Sequence, residues 1–343
     1  MLRSLSLTAA LFGGTALADA PNVAVDIAPV HSLVARVMDG VGEPSLIVQS
    51  GASPHGYTLR PSDAKALQDA DLVFWIGEDL TPWMDGALDT LATKAKVTAL
   101  LEADGTTLLN FREGALFEAH DHSDHDDHGD EDHAEHDDHD DHDDHAGHDD
   151  HDDHGDEDHA KHDDHAGHDE YAHGDHDPHA WLSPKNAGTW LNTIAAHLSA
   201  ADPENAGAYF ANAAAARAEL ETLATEIGAT LDPVRGGSFV VFHDAYQYFE
   251  TDFDFPASGA ISLGDASDPS PARIAEIQGR IKAEGVSCVL SEPQFNPGIV
   301  ATVMDGSVAK TGVIDPLGAE LEQGASLYPQ LIRNMAKTLA DCL

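Results

Sequence analysis

Residues 203–231 read PENAGAYFANAAAARAELETLATEIGATL, a long alanine-rich stretch typical of one continuous helix. No glycine interrupts it between Ala208 and Glu226. The chain on either side of this stretch shows the same pattern, in which short apolar runs alternate with helical stretches. We therefore predict two similar halves of the chain, joined by a long helix at 203–232.

The alternating pattern predicts two parallel sheets covered by helices on both faces. The predicted strands are Val23–Ile27, Ser45–Gln49, Leu72–Ile76 and Val97–Leu101 before the long helix, and Phe239–Phe242, Ala260–Leu263, Cys288–Leu290 and Val313–Ile314 after it. The expected fold class is α/β. It consists of two (β/α)4-type lobes, at 19–202 and 233–343, joined by one long rigid helix, with a disordered His/Asp-rich loop inserted in the first lobe.

The N-terminal residues predict export from the cytoplasm. They carry Arg3, an apolar run from Leu5 to Leu17, and small residues at the end of that run. We predict a signal peptide at 1–18, cleaved after Ala18, and a periplasmic mature protein. The apolar run is too short to span a bilayer, and no other stretch approaches 18 apolar residues, so we expect no membrane insertion.

The charge of the chain is strongly negative and unevenly distributed. The formal net charge is -45, and residues 118–177 contain 28 acids with Lys161 as the single base. The rest of the chain also carries more acids than bases. This balance argues against nucleic acid or an anionic membrane as the partner, and it fits the handling of cations.

The acidic segment is also rich in histidine. Eighteen histidines lie between His120 and His176, among Asp, Glu and small residues. Such a segment buries no apolar surface, so we predict a disordered loop at 118–177. A solvated charged spacer is one interpretation. Dense imidazole, however, suits divalent ions such as zinc, copper and nickel, and favours weak metal sites across 120–176.

Three histidines outside that loop follow predicted strands or precede a helix at matching points of the two halves. These are His55 in GASPHG, His179 in DPHAW and His243 in FVVFHD. Ligands of open α/β sheets bind beyond the carboxyl ends of the strands, so two facing lobes would bring these histidines to one cleft. Asp315, in VIDPL, ends the last strand. Three imidazoles with a carboxylate or water form a four-coordinate zinc site.

Each of these residues also has a structural interpretation. A histidine at a strand end can cap a helix or fill a gap in the core, and Asp315 before proline is a common turn-forming pair. His197 lies on a helix beside apolar residues and is interpreted as structural. His31, at a helix start, stays open.

The two cysteines of the chain, Cys288 and Cys342, favour a disulfide in an exported protein. Such a bond would join the C-terminal helix to an inner strand. Two free thiols and metal thiolates are the alternatives.

Four motifs in this order resemble the metal-binding solute receptors of ABC importers. They are GASPHGYTLRPSD at 51–63, DPHAWLSP at 177–184, VFHDAYQYF at 241–249 and IDPLG at 314–318. The zinc-specific branch, the high-affinity zinc uptake substrate-binding proteins, is the most similar, and the acidic histidine-rich loop also resembles that branch.

The resemblance implies metal in the cleft between two lobes and a rigid linking helix. His55, His179 and His243 match the three family histidines, and Asp315 matches the carboxylate used in some members. An acid precedes the first histidine in some zinc members, and Pro54 stands there in this chain, so the fourth ligand stays open between Asp315 and water. The cysteine pair also resembles a disulfide of some zinc members.

We therefore expect a periplasmic Zn²⁺ receptor, not an enzyme, that acts as a monomer and delivers its ion to the membrane permease of an ABC importer. Other periplasmic zinc chaperones are candidate partners as well. The alternatives are a manganese receptor of the same family and a zinc buffer or chaperone acting through its loop. A zinc hydrolase would need a general base near the metal, for which Asp244 and Glu292 are candidates.

Overall fold

The computed structural model describes residues 20–112, 117, 176–262 and 269–343. The predicted signal peptide at 1–18 therefore lies outside the described residues. Of the predicted histidine-rich loop at 118–177, only its last two residues, His176 and Asp177, are described. Phe117, just before the loop, is described as well. None of the described helices is both long enough and apolar enough to cross a membrane.

The first lobe is built on a four-stranded parallel sheet of order β2-β1-β3-β4. Its elements, in chain order, are β1 Val23–Val25, α1 Ala28–Val37, β2 Ser45–Leu46, α2 Pro61–Asp69, β3 Leu72–Trp75, α3 Pro82–Leu91, β4 Lys96–Ala99 and α4 Pro184–Ala201. The central strands β1 and β3 are fully buried. Buried on both faces, they read as the continuous apolar runs that predicted them.

The second lobe repeats this arrangement with a parallel sheet of order β6-β5-β7-β8. Its elements are β5 Phe239–His243, α6 Gln247–Phe253, β6 Gly259–Ser262, α7 Pro271–Glu284, β7 Cys288–Ser291, α8 Pro297–Val303, β8 Lys310–Val313 and α9 Leu327–Cys342. Between the lobes runs α5, Ala206–Leu231. Two parallel α/β sheets joined by a long helix confirm the predicted fold class.

Local sequence explains where most helices begin. Proline occupies one of the first two positions of six of the described α-helices, where its missing N–H is not needed and its φ is already helical. The Ser183 and Ser270 hydroxyls cap α4 and α7 by accepting backbone N–H groups. The sequence pattern predicts helices that start at Pro82, Pro184, Pro271 and Pro297, and α3, α4, α7 and α8 begin at these residues.

Two of the differences between the predicted and the observed elements have identifiable reasons. β8 begins at Lys310, three residues before the prediction, because it is an edge strand with polar residues that carry no apolar pattern. The sequence pattern predicts a helix at Ala245–Phe249, whereas α6 begins two residues later, at Gln247. The chain first makes a tight turn in which the Ala245 N–H donates to the His243 carbonyl.

A single buried apolar cluster connects the two lobes. It runs from Val25 of β1 through Tyr209 and Leu223 of α5 to Leu290 of β7. α5 packs against α4, α9 and α1, so it shares its apolar face with helices of both lobes. A continuous core of this kind favours a fixed arrangement of the two sheets.

The predicted disulfide is confirmed. Cys288 of β7 is bonded to Cys342 near the end of α9, with the Cα atoms 5.7 Å apart. The bond ties the last helix to an inner strand of the second sheet and closes a loop with a sequence separation of 54 residues.

We predict that replacing both cysteines by alanine lowers the free energy of unfolding by about 2–4 kcal/mol, because the unfolded chain regains the freedom that the bond removes. Denaturant unfolding of the metal-free protein measures this. An unchanged midpoint and slope would contradict a stabilising role for the bond.

Asp26 seals the carboxyl end of the first sheet. Its side chain is fully buried directly after β1, and its two oxygens accept the backbone N–H groups of Ile27 and Ile76, each at 2.7 Å. Burial raises the pKa of Asp26 to about 7, against the opposing effect of these hydrogen bonds. The Asp26 carboxyl therefore links the backbone just after β1 to the backbone just after β3. When this buried group is ionised, it lowers the free energy of unfolding.

This shift predicts a pH-dependent contribution to stability. Because the folded pKa lies above the unfolded value of 3.8, the contribution is fully present below about pH 4 and is lost as the pH rises through about 7. The stability difference between the protein and its Asp26→Asn variant should therefore fall by as much as about 4 kcal/mol over that range. Denaturant unfolding of both proteins at several pH values measures it, and parallel curves would contradict the prediction.

Candidate metal centre

His179 and His243 meet ring to ring, although they come from different lobes. Their Nε2 atoms lie 3.4 Å apart, and their ring centroids lie 5.2 Å apart. Both residues are buried, with 5% and 3% of their surface exposed. His243 is the last residue of β5, and His179 directly precedes the 3-10 turn Ala180–Leu182 that leads into α4.

A buried carboxylate lies behind each of these imidazoles. Asp177 Oδ1 is 2.7 Å from His179 Nδ1, and Glu292 Oε1 is 2.6 Å from His243 Nδ1. Because a carboxylate accepts, we assign the proton of each neutral ring to Nδ1, which leaves the lone pair on Nε2. Carboxylate–imidazole pairs of this kind orient histidine ligands in metal sites and raise their basicity.

The distance between the two Nε2 atoms matches a shared metal ion. Two imidazole nitrogens on one tetrahedral zinc, each about 2.0–2.1 Å from the ion, lie roughly 3.3–3.4 Å apart. His179 and His243 already have this spacing. Two lone pairs that face each other across such a gap repel, and a cation between them removes the repulsion.

His55 lies next to this pair on the chain between β2 and α2. Its ring centroid is 5.5 Å from that of His179, and the residue is half-buried. The Trp83 indole donates to the carbonyl of Pro54, at 2.7 Å, and so holds the chain directly before His55. Among the residues that the structure describes, no group of three His, Cys, Asp or Glu side chains is gathered at metal-binding distances.

Asp315 follows β8, but its carboxylate is engaged in a turn. Oδ1 accepts the N–H groups of Leu317 and Gly318, at 3.0 and 2.9 Å, and Oδ2 accepts that of Ala319, at 2.6 Å. The structure therefore brings His55, His179 and His243 together and gives Asp315 the hydrogen bonds of the turn-forming interpretation. A metal ion bound to Asp315 would have to share a carboxylate that this turn already engages.

The second lobe holds the segment that carries His179. The Tyr248 hydroxyl donates to the Asp177 carbonyl at 2.8 Å, and the Trp181 indole donates to the carbonyl of Pro316 at 2.8 Å. The Ser183 hydroxyl donates to Asp252 at 2.7 Å. Burial raises the pKa of Asp177 to about 7, and the hydrogen bond from the His179 backbone opposes that rise.

Other predicted residues have different surroundings. Glu292 and Asp244, the candidate bases of a hydrolase, bind His243 Nδ1 and the Arg112 guanidinium respectively. His197 Nδ1 lies 2.8 Å from the Thr98 hydroxyl, in keeping with a structural role. His31 Nε2 lies 3.0 Å from the Pro44 carbonyl oxygen, which gives this histidine a structural contact as well.

Comparison with known proteins identifies the family. The family model described as zinc-uptake complex component A periplasmic, ZnuA, matches residues 23–342. The chain belongs to the ZnuA family. This confirms the resemblance to the zinc branch that the four motifs predicted.

Curated relatives of the ZnuA family match the full chain. The high-affinity zinc uptake system protein ZnuA of Brucella abortus is 50% identical over 346 residues, which cover 100% of this chain and 98% of the relative. The protein of the same description from Paracoccus denitrificans is 45% identical and covers 100% and 99%.

Solved structures share the fold at lower identity. A crystal structure of ZnuA has a TM-score of 0.69 at 22% identity and covers 94% of this chain and 99% of that one. The binding protein FpvC of Pseudomonas aeruginosa, in complex with Mn²⁺, has a TM-score of 0.68 at 20% identity and covers 94% and 98%. At these identities the likeness concerns the fold.

Sequence reasoning missed the roles of the two carboxylates. Asp177 had a usable signal, because an Asp two residues before a histidine can bond its ring. Glu292 follows β7, the neighbour of β5, and only the strand order places it behind His243. Arg112 and Trp83 carried no signal, since their contacts depend on tertiary packing.

We predict that Glu292→Gln weakens zinc binding about 10–100-fold, because an amide keeps the shape but loses the charge that makes His243 a better ligand. Competitive titration against a chelating dye measures the Kd. The control is Glu276→Gln, the same change at a half-exposed surface pair with Arg273. Equal Kd values for the two variants would rule out the assigned role.

Proposed function

We propose that this protein captures one Zn²⁺ between its lobes through His55, His179 and His243, with Asp315 or water as the fourth ligand. It then delivers the ion to the membrane permease of an ABC importer. One observation carries the proposal. Two buried imidazoles from different lobes present Nε2 atoms 3.4 Å apart, each with a carboxylate behind it. Membership of a zinc-uptake family supports it.

The donor set favours zinc over manganese. Zinc accepts a tetrahedral set of nitrogen ligands without geometric penalty, whereas manganese favours oxygen-rich octahedra. A manganese receptor is the second candidate because a protein of the same fold, FpvC, was solved with Mn²⁺. Competition of Mn²⁺ against Zn²⁺ for the purified protein decides between them.

The remaining parts of the chain fit the same proposal. A signal peptide at 1–18 would bring the protein to the periplasm, the compartment named by its family. The lobes at 19–202 and 233–343 would hold the ion, and the helix at 203–232 would limit their movement. The acidic histidine-rich segment at 120–176 would bind zinc weakly. The protein would act as a monomer, and it would be a receptor and not an enzyme.

We predict that His243→Ala weakens zinc binding by more than about 100-fold, because it removes a proposed ligand. This loss is larger than the one expected for Glu292→Gln, which changes only the partner of that ligand. Deleting residues 118–175 should change the affinity of the tight site far less. Isothermal titration of both variants measures this.

The comparison has a matched control and a clear contrary outcome. His197→Ala removes a histidine that contacts Thr98 and should leave the tight site intact. Equal losses in His243→Ala and in the deletion variant would refute the cleft assignment. A loss confined to the deletion would instead support the buffer or chaperone alternative.

A further inference from the structure

Arg112 joins the two lobes through a buried ionic cluster. Its Nε donates to both oxygens of Asp244, at 3.0 Å each, and Nη1 and Nη2 donate to Glu250 at 2.7 and 3.1 Å. Nη2 also donates to Asp244. The guanidinium lies 3.5 Å from the centre of the Phe117 ring. Arg112 comes from the chain after β4, whereas both acids belong to the second lobe.

The cluster is shielded from water. The side chains of Arg112, Asp244 and Glu250 are 16%, 7% and 5% exposed. Removal of one partner from a buried ionic cluster is costly, since it leaves an uncompensated charge. Arg112 supplies one positive charge, and two acidic side chains face it.

The position of the cluster connects it to the candidate metal centre. Asp244 directly follows His243, and Arg112 follows Asn110, which forms an antiparallel bridge with His176. Three residues after His176 comes His179. The ionic contact therefore joins the segment that carries His243, in the second lobe, to the segment that pairs beside His179, in the first lobe.

We propose that Arg112 is a positioning residue that latches the cleft around its captured ion and slows the release of zinc. This inference rests on the proposed function. Release requires the ligands of the two lobes to separate, and separation at this boundary must break several charge-assisted hydrogen bonds in a water-poor environment. Loss of a buried charge pair acts mainly on the dissociation rate.

A second ionic contact between the lobes provides the control. Lys185 Nζ lies 2.9 Å from Asp252, but the lysine side chain is 73% exposed. An exposed pair contributes little to holding two surfaces together. Lys185→Gln therefore removes the same number of charges as Arg112→Gln at the same boundary, without removing the buried latch.

The test measures zinc release by stopped flow with excess chelator, together with the Kd and the thermal stability of each metal-free variant. Arg112→Gln should raise the dissociation rate roughly tenfold and leave the association rate near its original value. Lys185→Gln should release zinc at the original rate. Arg112→Lys, which keeps the charge but not the planar fork, should recover part of the slow release.

The double variant Arg112→Gln/Glu250→Gln separates the latch from simple electrostatics. It keeps the charge of the cluster but lacks the ionic contact, so it should also release zinc faster. Release at the original rate in both variants, or slower release in Arg112→Gln, overturns the proposal even if thermal stability falls. If His243→Ala binds zinc normally, the proposed function fails; if only the release rates are unchanged, the latch alone fails.

Discussion

A neutral imidazole offers its lone pair on one ring nitrogen, and the partner of the other nitrogen decides which one. In this protein Asp177 and Glu292 hold the Nδ1 atoms of His179 and His243, so both Nε2 atoms face the same point. The two carboxylates come from different lobes. The proposed metal site therefore depends on the exact way in which the lobes are held against each other, and much of the structure serves that arrangement.

The two lobes use the same topological position in different ways. In each sheet the strand order reverses its direction between the two central strands, β1 and β3 or β5 and β7. Open α/β sheets form their binding crevices at this point. In the first lobe, Asp26 fills this point by accepting backbone N–H groups. In the second lobe, Glu292 at the same kind of point accepts a histidine side chain instead. The same fold therefore uses its buried acid in two ways. Asp26 binds backbone N–H groups at the end of the first sheet, whereas Glu292 binds the His243 side chain at the end of the second.

The sequence predicted the parts of this arrangement that follow from strand ends. His243 ends a buried apolar run, and His55 and His179 occupy the matching positions in the first half, so their convergence followed from the α/β pattern alone. Glu292 was predicted only as a candidate base of a hydrolase. Its contact with His243 was missed, because that contact depends on β5 and β7 being neighbours in the sheet. Asp315 follows the last strand, two residues after β8 ends at Val313. The backbone N–H groups that engage its carboxylate come from a turn whose closure depends on local φ and ψ angles, which the sequence pattern does not give. Edge strands such as β8 were placed least well, since their exposed residues lack an apolar pattern.

The degree of preorganisation differs among the three histidines. His179 and His243 are buried, and Tyr248, Trp181 and Arg112 hold the segments around them across the lobe boundary. His55 is half-buried on a chain without regular structure, held by a contact between Trp83 and the preceding carbonyl. Groups that are ordered before binding lower the entropic cost of binding. The two lobes share one continuous buried core, so the pair formed by His179 and His243 is ordered in this way. The preset pair of His179 and His243 would therefore depend more than His55 does on the contacts across the lobe boundary.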